Sequence, residues 1–282
     1  MVKVNDKRTF GIELEAYNVS RLTLVSSLQQ AGIDAVCASY SGRNYSVWQI
    51  KTDSSICGQN GFEVVSPILS HNDVPQIEIV VRIINELGGK VNASCGMHIH
   101  WGVSDWSVKK FKNFTKRYVK FETAIDSIVP KSRRGSQNRY CKTIIRDDYG
   151  RNLVSNINHT FKKIDKCKSL RQISQEVTHG KFSKLNTDVF FRSGTIEIRH
   201  HSGTLDIDKI LNWISLTGGM VNDSDNNKSV KNFSTDIMLD VFLTNKRKQL
   251  STLLNGLARG GNITKDTKKF FKSRATELRR VA

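Results

Sequence analysis

Three short stretches, GIELEAY at 11–17, GMHIHWG at 96–102 and GTIEIRHH at 194–201, alternate apolar and ionisable residues with a period of two. In a β-strand successive side chains point to opposite faces. Ile12 and Leu14 therefore share one face while Glu13 and Glu15 share the other. Met97, Ile99 and Trp101 oppose His98 and His100, and Ile196 and Ile198 oppose Thr195, Glu197, Arg199 and His201. A helical period would scatter these sets around an axis, so the pattern commits the three stretches to a sheet with one apolar face. Two further stretches have the same design. YSVWQIKTD (45–53) sets Asp53 opposite Trp48 and Ile50, and GFEVVSPIL (61–69) sets Glu63 opposite Phe62 and Val64. As neighbours in one sheet, the five strands gather Glu13, Glu15, Asp53, Glu63, His98, His100, Glu197 and Arg199 on a common polar face.

Carboxylates crowded on one face repel one another unless cations neutralise them. Hard divalent ions answer that need, because their preferred ligands are carboxylate oxygens with an occasional imidazole. A zinc hydrolase site uses fewer carboxylates and more histidines. The excess of acids therefore points to two or three Mg²⁺ (or Mn²⁺) ions, the arrangement that clamps phosphates during phosphoryl transfer. A metal-dependent hydrolase or nuclease uses the same residue types, and Cys95 with His98 or His159 offers an acyl-transfer alternative. His71, His159 and His179 have no paired context and read as ordinary surface or core residues.

Apolar residues recur three and four apart over about 20–31, 73–88 and 106–128, and a further helix is expected from Asp206. The segment 184–201 reads as two strands joined at Ser193-Gly194. Strands interleaved with helices give an α+β fold, a mainly antiparallel sheet with helices packed on one face. The polar run NDSDNNKSVKN (222–232) reads as a linker, dividing a catalytic domain over 1–222 from a basic helical extension over 223–282. Residues 130–183 are polar and poorly periodic, the expected source of substrate-specific loops. Five scattered cysteines without CxxC pairing indicate reduced thiols. No apolar run approaches the roughly 20 residues of a membrane span, and the first residues lack the apolar core of a secretion signal, so a cytoplasmic location without membrane contact is expected. A net charge of +18 attracts anions, and KKFFKSRATELRR (268–280) is the candidate element for a nucleic-acid contact.

GIELE, KTDSSI, GFEVVSPIL, CGMHIHW, RYCK, KLNT and GTIEIRHHSGTLD occur in an order and spacing that resemble the amidoligase family. These are carboxylate–amine ligases related to glutamine synthetase and glutamate–cysteine ligase. The resemblance covers roughly residues 8–220 and leaves out the basic tail. It implies a glutamine synthetase-like catalytic domain and an ATP-dependent, ADP-forming ligase that makes an amide through an acyl phosphate. Position by position, it implies that Glu13 shares an ion with His98 and Glu197, and that Glu15 holds another with Glu63 and, less closely matched, Asp53. His100 falls near the nucleotide, and Arg199 faces the transferring phosphoryl group. With Glu197, these are the expected catalytic residues. Arg139, Lys142 and Asn186 lie in segments expected to bind nucleotide or substrate. The implied partners are a carboxylate and an amine, peptides and polyamines among them. A catalytically inactive, nucleic-acid-binding relative is the other reading within the family, and the intact acids argue against it.

Overall fold

The computed structural model describes residues 2–39, 44–145, 153–178, 180–226, 230, 238, 240, 242–243 and 245–280. They fall into two compact units, one of Asp6–Gly102 and Arg199–Ile214, the other of Met1–Asn5, Val103–Ile198 and Ser215–Ala282. His179 lies outside the described residues, as do parts of the expected linker.

The first unit is built on strands β1 (Phe10–Ala16), β2 (Ala35–Cys37), β3 (Trp48–Thr52), β4 (Phe62–Val65) and β5 (Gly96–Gly102), with helices α1 (Arg21–Gln30) and α2 (Val74–Glu86). Strand order is β2-β3-β4-β1-β5, and β5 is followed by β7 (Thr195–Ser202), whose residues from Arg199 onward belong to this unit. β1 pairs antiparallel with β4 and with β5, β3 pairs antiparallel with β4, and the short edge strand β2 runs parallel to its neighbour. The α+β class and the mainly antiparallel sheet thus match the sequence expectation. The alternation forces the layering: Ile12, Leu14, Ile50, Phe62, Val64, Met97 and Ile99 are all buried on one side, each contributing about 1.5–3 kcal/mol relative to exposure. Helix α2 packs on that side, where the Trp48 indole Nε1 donates to Gln76 Oε1 at 3.1 Å. A capping box initiates the segment leading into α2, with Ser70 N donating to Asp73 Oδ2 at 2.8 Å, and a proline occupies the first turn.

The second unit is mostly helical. The long helix α3 (Val108–Asp126) buries Phe111, Phe114, Tyr118, Phe121 and Ile125, and α4 (Leu153–Lys166), α5 (Leu170–Val177) and α8 (Lys246–Arg259) assemble around it. Helices α4 and α5 lie in the segment whose sequence reads as poorly periodic. Val154, Ile157, Phe161 and Ile164 do recur at helical spacing and are buried, but the polar residues between them dilute the pattern. The 184–201 segment also differs from expectation. A two-residue strand β6 (Leu185–Asn186) is followed by a one-turn helix, α6 (Phe190–Ser193), before β7 begins. Gly194, at φ 67°, ends that turn in the left-handed conformation, which glycine adopts without a Cβ penalty. Helix α7 (Ile207–Asp225) runs through position 222, and the last helix among the described residues is α9 (Lys265–Arg280).

A buried ion cluster pins this unit. Lys184, fully buried, places Nζ 2.6 Å from Asp126 Oδ1 and 3.2 Å from Glu122 Oε1. Glu122 Oε2 accepts from Ile144 N at 3.1 Å and Asp126 Oδ2 from Gly135 N at 3.0 Å, so α3, β6 and the RYCK loop are tied together. Burial disfavours the Lys184 charge, but the two carboxylates outweigh it and hold the ammonium above its ordinary pKa. Replacing Lys184 by methionine leaves buried Glu122 and half-buried Asp126 without their cation and is expected to cost about 3–5 kcal/mol, measured by denaturant unfolding. A loss under about 1 kcal/mol would show that the acids find other partners.

Candidate active site

The polar face of the first unit is assembled by register. Glu13 lies opposite His98 on β5, and Glu15 lies opposite Glu63 on β4. Glu13 is gripped by both histidines: His98 Nδ1 is 2.9 Å from its Oε2 and His100 Nε2 is 3.0 Å from its Oε1. The other nitrogen of His98 faces Glu15 Oε1 at 3.5 Å. Glu15 Oε2 also accepts a short hydrogen bond, 2.6 Å, from the backbone N–H of Gly96. His98, 2% exposed, is the pivot of the group. Glu15, Glu63 and His98 can each offer one ligand atom, all within 4.8 Å of one another.

The electrostatics divide the acids. Burial pushes the Glu13 carboxyl up, but the charge and hydrogen bonds of His100 and His98 together outweigh it and hold the group well below the usual carboxylate range. Glu63 goes the other way. Burial, reinforced by the negative charges of Glu13, Glu15 and Asp53, raises it well above that range, and the Lys51 charge only partly opposes the shift. Three acids thus act on Glu63 across this face, and its one opposing charge, Lys51, does not offset them. A divalent cation among Glu15, Glu63 and His98 fits the donor set, since it would relieve that repulsion with oxygen and imidazole ligands.

Asp53 sits just past the end of β3, where its Oδ1 accepts from Ser55 N at 2.7 Å and shapes the turn. Arg199, on β7, reaches the same face; its Nη1 lies 3.4 Å from His98 Nδ1. Lys51 and Gln49, which fall outside the candidates drawn from the sequence, are both buried on β3, with Lys51 in register with Glu63. A signal for them exists, because they share the strand alternation that selects Asp53.

In the second unit, Glu197 lies two residues before Arg199 on β7, 3% exposed, and its Oε2 accepts from Asn186 Nδ2 at 2.7 Å. The Asn186 Oδ1 in turn accepts from Asp188 N at 3.0 Å, so this amide orients Glu197 and the turn after β6. Arg139 is exposed, its guanidinium 4.6 Å from the centre of the Tyr140 ring, which stacks on Phe182. Lys142 exposes its side chain while its backbone bonds to Phe182 and Lys184. Cys95 is fully buried, with Sγ 3.8 Å from Asn92 Oδ1, a position closed to an acyl substrate.

Among the described residues, no helix is long and apolar enough to cross a membrane. Among curated proteins, none matches the chain. A crystal structure of a bifunctional glutathione synthetase from Pasteurella multocida is similar at 11% identity with a TM-score of 0.45. The similarity covers 96% of this chain and 47% of that one, so the chain spans about half the length of that protein. The family described as "Putative amidoligase enzyme" matches residues 6–221, the stretch that carries every strand of the acidic face. The chain belongs to this amidoligase family.

Proposed function

We propose that this protein is an ATP-dependent, ADP-forming carboxylate–amine ligase whose catalytic part lies within residues 1–222. The observation that carries the reading is the convergence of Glu15, Glu63 and His98 within 4.8 Å, inside the stretch matched by the amidoligase family. In the proposed reaction a carboxylate oxygen of the acid attacks the γ-phosphorus of ATP, the bond to the bridging oxygen breaks, and an acyl phosphate and ADP result. The amine nitrogen then attacks the acyl carbon, phosphate leaves, and the nitrogen loses a proton to complete the amide.

Two or three Mg²⁺ (or Mn²⁺) ions, when bound, would offset phosphate charge and polarise the transferring group. Glu15 and Glu63 would hold one with help from Asp53, and His98, whose second nitrogen faces Glu15, stands between this ion and the next. Glu13 and His98 would hold another, with Glu197 as the further ligand the family resemblance implies. Arg199 alternates in phase with Glu197 along β7, and its guanidinium would steady charge on the transferring phosphoryl group. His100, Arg139, Lys142 and Asn186 are proposed to contact nucleotide or substrate, Asn186 also by orienting Glu197. A rigid sheet suits this work, since Arg199 and the proposed ligands other than Asp53 are held by strands rather than by loops.

The test is ATP consumption with Mg²⁺ against pooled carboxylates and amines, peptides and polyamines included. ADP and phosphate should appear only when both classes are present. AMP and pyrophosphate would indicate adenylation instead, and phosphodiester cleavage without ATP would support the hydrolase alternative.

The two histidines should separate under mutation. His98 bridges Glu13 and Glu15, whereas His100 grips Glu13 Oε1. His98→Ala is therefore expected to raise the Mg²⁺ concentration for half-maximal turnover by about tenfold or more. His100→Ala should act mainly on the KM for ATP. Equal shifts in metal requirement for both variants would contradict this division.

A further inference from the structure

Helices α8 and α9 lie beyond residue 221, where the family match ends, and the proposed chemistry makes no use of them. They nevertheless carry an ordered charge pattern. On α9, Lys265, Lys269, Lys272 and Arg279 are exposed and follow one another at intervals of four, three and seven residues. At 3.6 residues per turn these positions fall on one face, joined by half-buried Lys268 and by Arg280, over about 21 Å of helix. The two acids of the helix stay off that face: Asp266 lies on its flank, and Glu277 pairs with Arg274 at 3.3 Å.

A second observation continues the pattern at the α8–α9 turn. A groove of about 540 Å³ is lined by Thr252, Asn255, Arg259, Ile263, Lys265 and Lys268, with Ala258 between them: three cations and, among the described residues, no carboxylate. Lys3 adds a fourth cation at this turn, its Nζ donating to Gly261 O at 2.7 Å. A stripe and a groove of one sign, meeting at Lys265 and Lys268, form a track for a polyanion.

We infer that this face binds the phosphate backbone of duplex nucleic acid without sequence preference. The chemistry selects that partner over two others. The apolar side of α9, with Phe271 and Ala275 buried, is already spent on packing, which leaves no apolar face of this helix to insert into a membrane surface. Among the described residues of α9, the stripe presents no exposed aromatic side chain, and single-strand binders rely on aromatic stacking platforms. What remains is a row of cations with phosphate-contacting reach, whose affinity must fall steeply with salt.

The test measures binding of the full-length protein to a fluorescent 20-base-pair DNA duplex and to the matching RNA duplex by anisotropy, across a salt series. The quadruple variant Lys265→Gln, Lys269→Gln, Lys272→Gln, Arg279→Gln should bind at least tenfold more weakly at low salt. Its plot of log affinity against log salt should be shallower by about 3 to 4, at about 0.9 for each phosphate no longer neutralised. Glutamine is a good helix former, and unchanged circular dichroism verifies the fold. A separate groove variant, Arg259→Gln with Lys268→Gln, should weaken binding in the same direction, so the outcome does not depend on a single set of substitutions. Binding to either duplex, weakened as described in both variants, supports the inference. A wild-type slope shallower than about 2, equal binding by both variants and the wild type, or tighter binding to vesicles of phosphatidylserine than to either duplex overturns it.

Discussion

Replacing Arg199 by alanine is expected to lower hydroxamate formation by about 10²-fold or more, the scale of losing one electrostatic contact made mainly in the transition state. Hydroxylamine is a small, strong nucleophile that intercepts an acyl phosphate whatever the natural amine is. Supplied with ATP, Mg²⁺ and an accepted carboxylate, the wild-type protein should therefore yield a hydroxamate with ADP and phosphate. The motivation is positional. Arg199 projects from β7 onto the acidic face, with Nη1 3.4 Å from His98 Nδ1, so its guanidinium is held beside the proposed metal ligands by a strand rather than by a loop. The loss should fall on kcat while the affinity for Mg·ADP changes little, because the developing charge exists only during transfer. A variant that keeps wild-type hydroxamate yield would remove Arg199 from the chemistry. Hydroxamate formed without ATP would point to simple acyl transfer and reject the acyl-phosphate route altogether.

Glu63→Gln is expected to change two properties in opposite directions. Without divalent ions, burial and the charges of Glu13, Glu15 and Asp53 raise the Glu63 carboxyl well above its ordinary value. Above the unfolded-state pKa of a glutamate, the native state then binds more protons than the unfolded chain. Stability from this group is thus present at acid pH and is lost as pH rises through the folded value. Glutamine carries no such penalty, so at neutral pH without metal the variant should melt at a higher temperature than wild type, and the gap should close as pH falls below the ordinary carboxylate range. With Mn²⁺ the order should invert, because the variant lacks one oxygen ligand of the Glu15, Glu63, His98 group. Its Mn²⁺ affinity by calorimetry should drop at least tenfold, in the range of about 10–100-fold typical when a group supporting a metal site is removed. Unchanged Mn²⁺ affinity would mean that the ion is held elsewhere on the face.

The acidic face is legible in the sequence because a strand has only two sides. Once Ile12 and Leu14 are committed to the core, Glu13 and Glu15 have no choice of face, and the same reasoning places Glu63, His98, His100 and Arg199. Helices with a clean apolar stripe, such as α2, are readable for the same reason. Less is visible where polar residues interrupt the period: α4 and α5 hide within a segment that looks irregular, and the one-turn helix before Gly194 looks like a strand junction.

Periodicity assigns a face, but it does not assign a neighbour. That β1 lies between β4 and β5, with Glu13 against His98 and Glu15 against Glu63, follows from pairing between strands whose partners stand as far apart in the chain as Glu13 and His98. Only that register decides that both histidines close on Glu13 and that Glu63 is left with like charges. The buried Lys184 cluster makes the same point, since nothing local in KLNT marks this lysine for burial and only the tertiary fold brings Glu122 and Asp126 to it. The residue types able to do the chemistry are local information, set by the two-residue repeat. The electrostatic fate of each group is decided by tertiary structure, because a pKa depends on burial and on charges a few ångströms away that are distant in sequence.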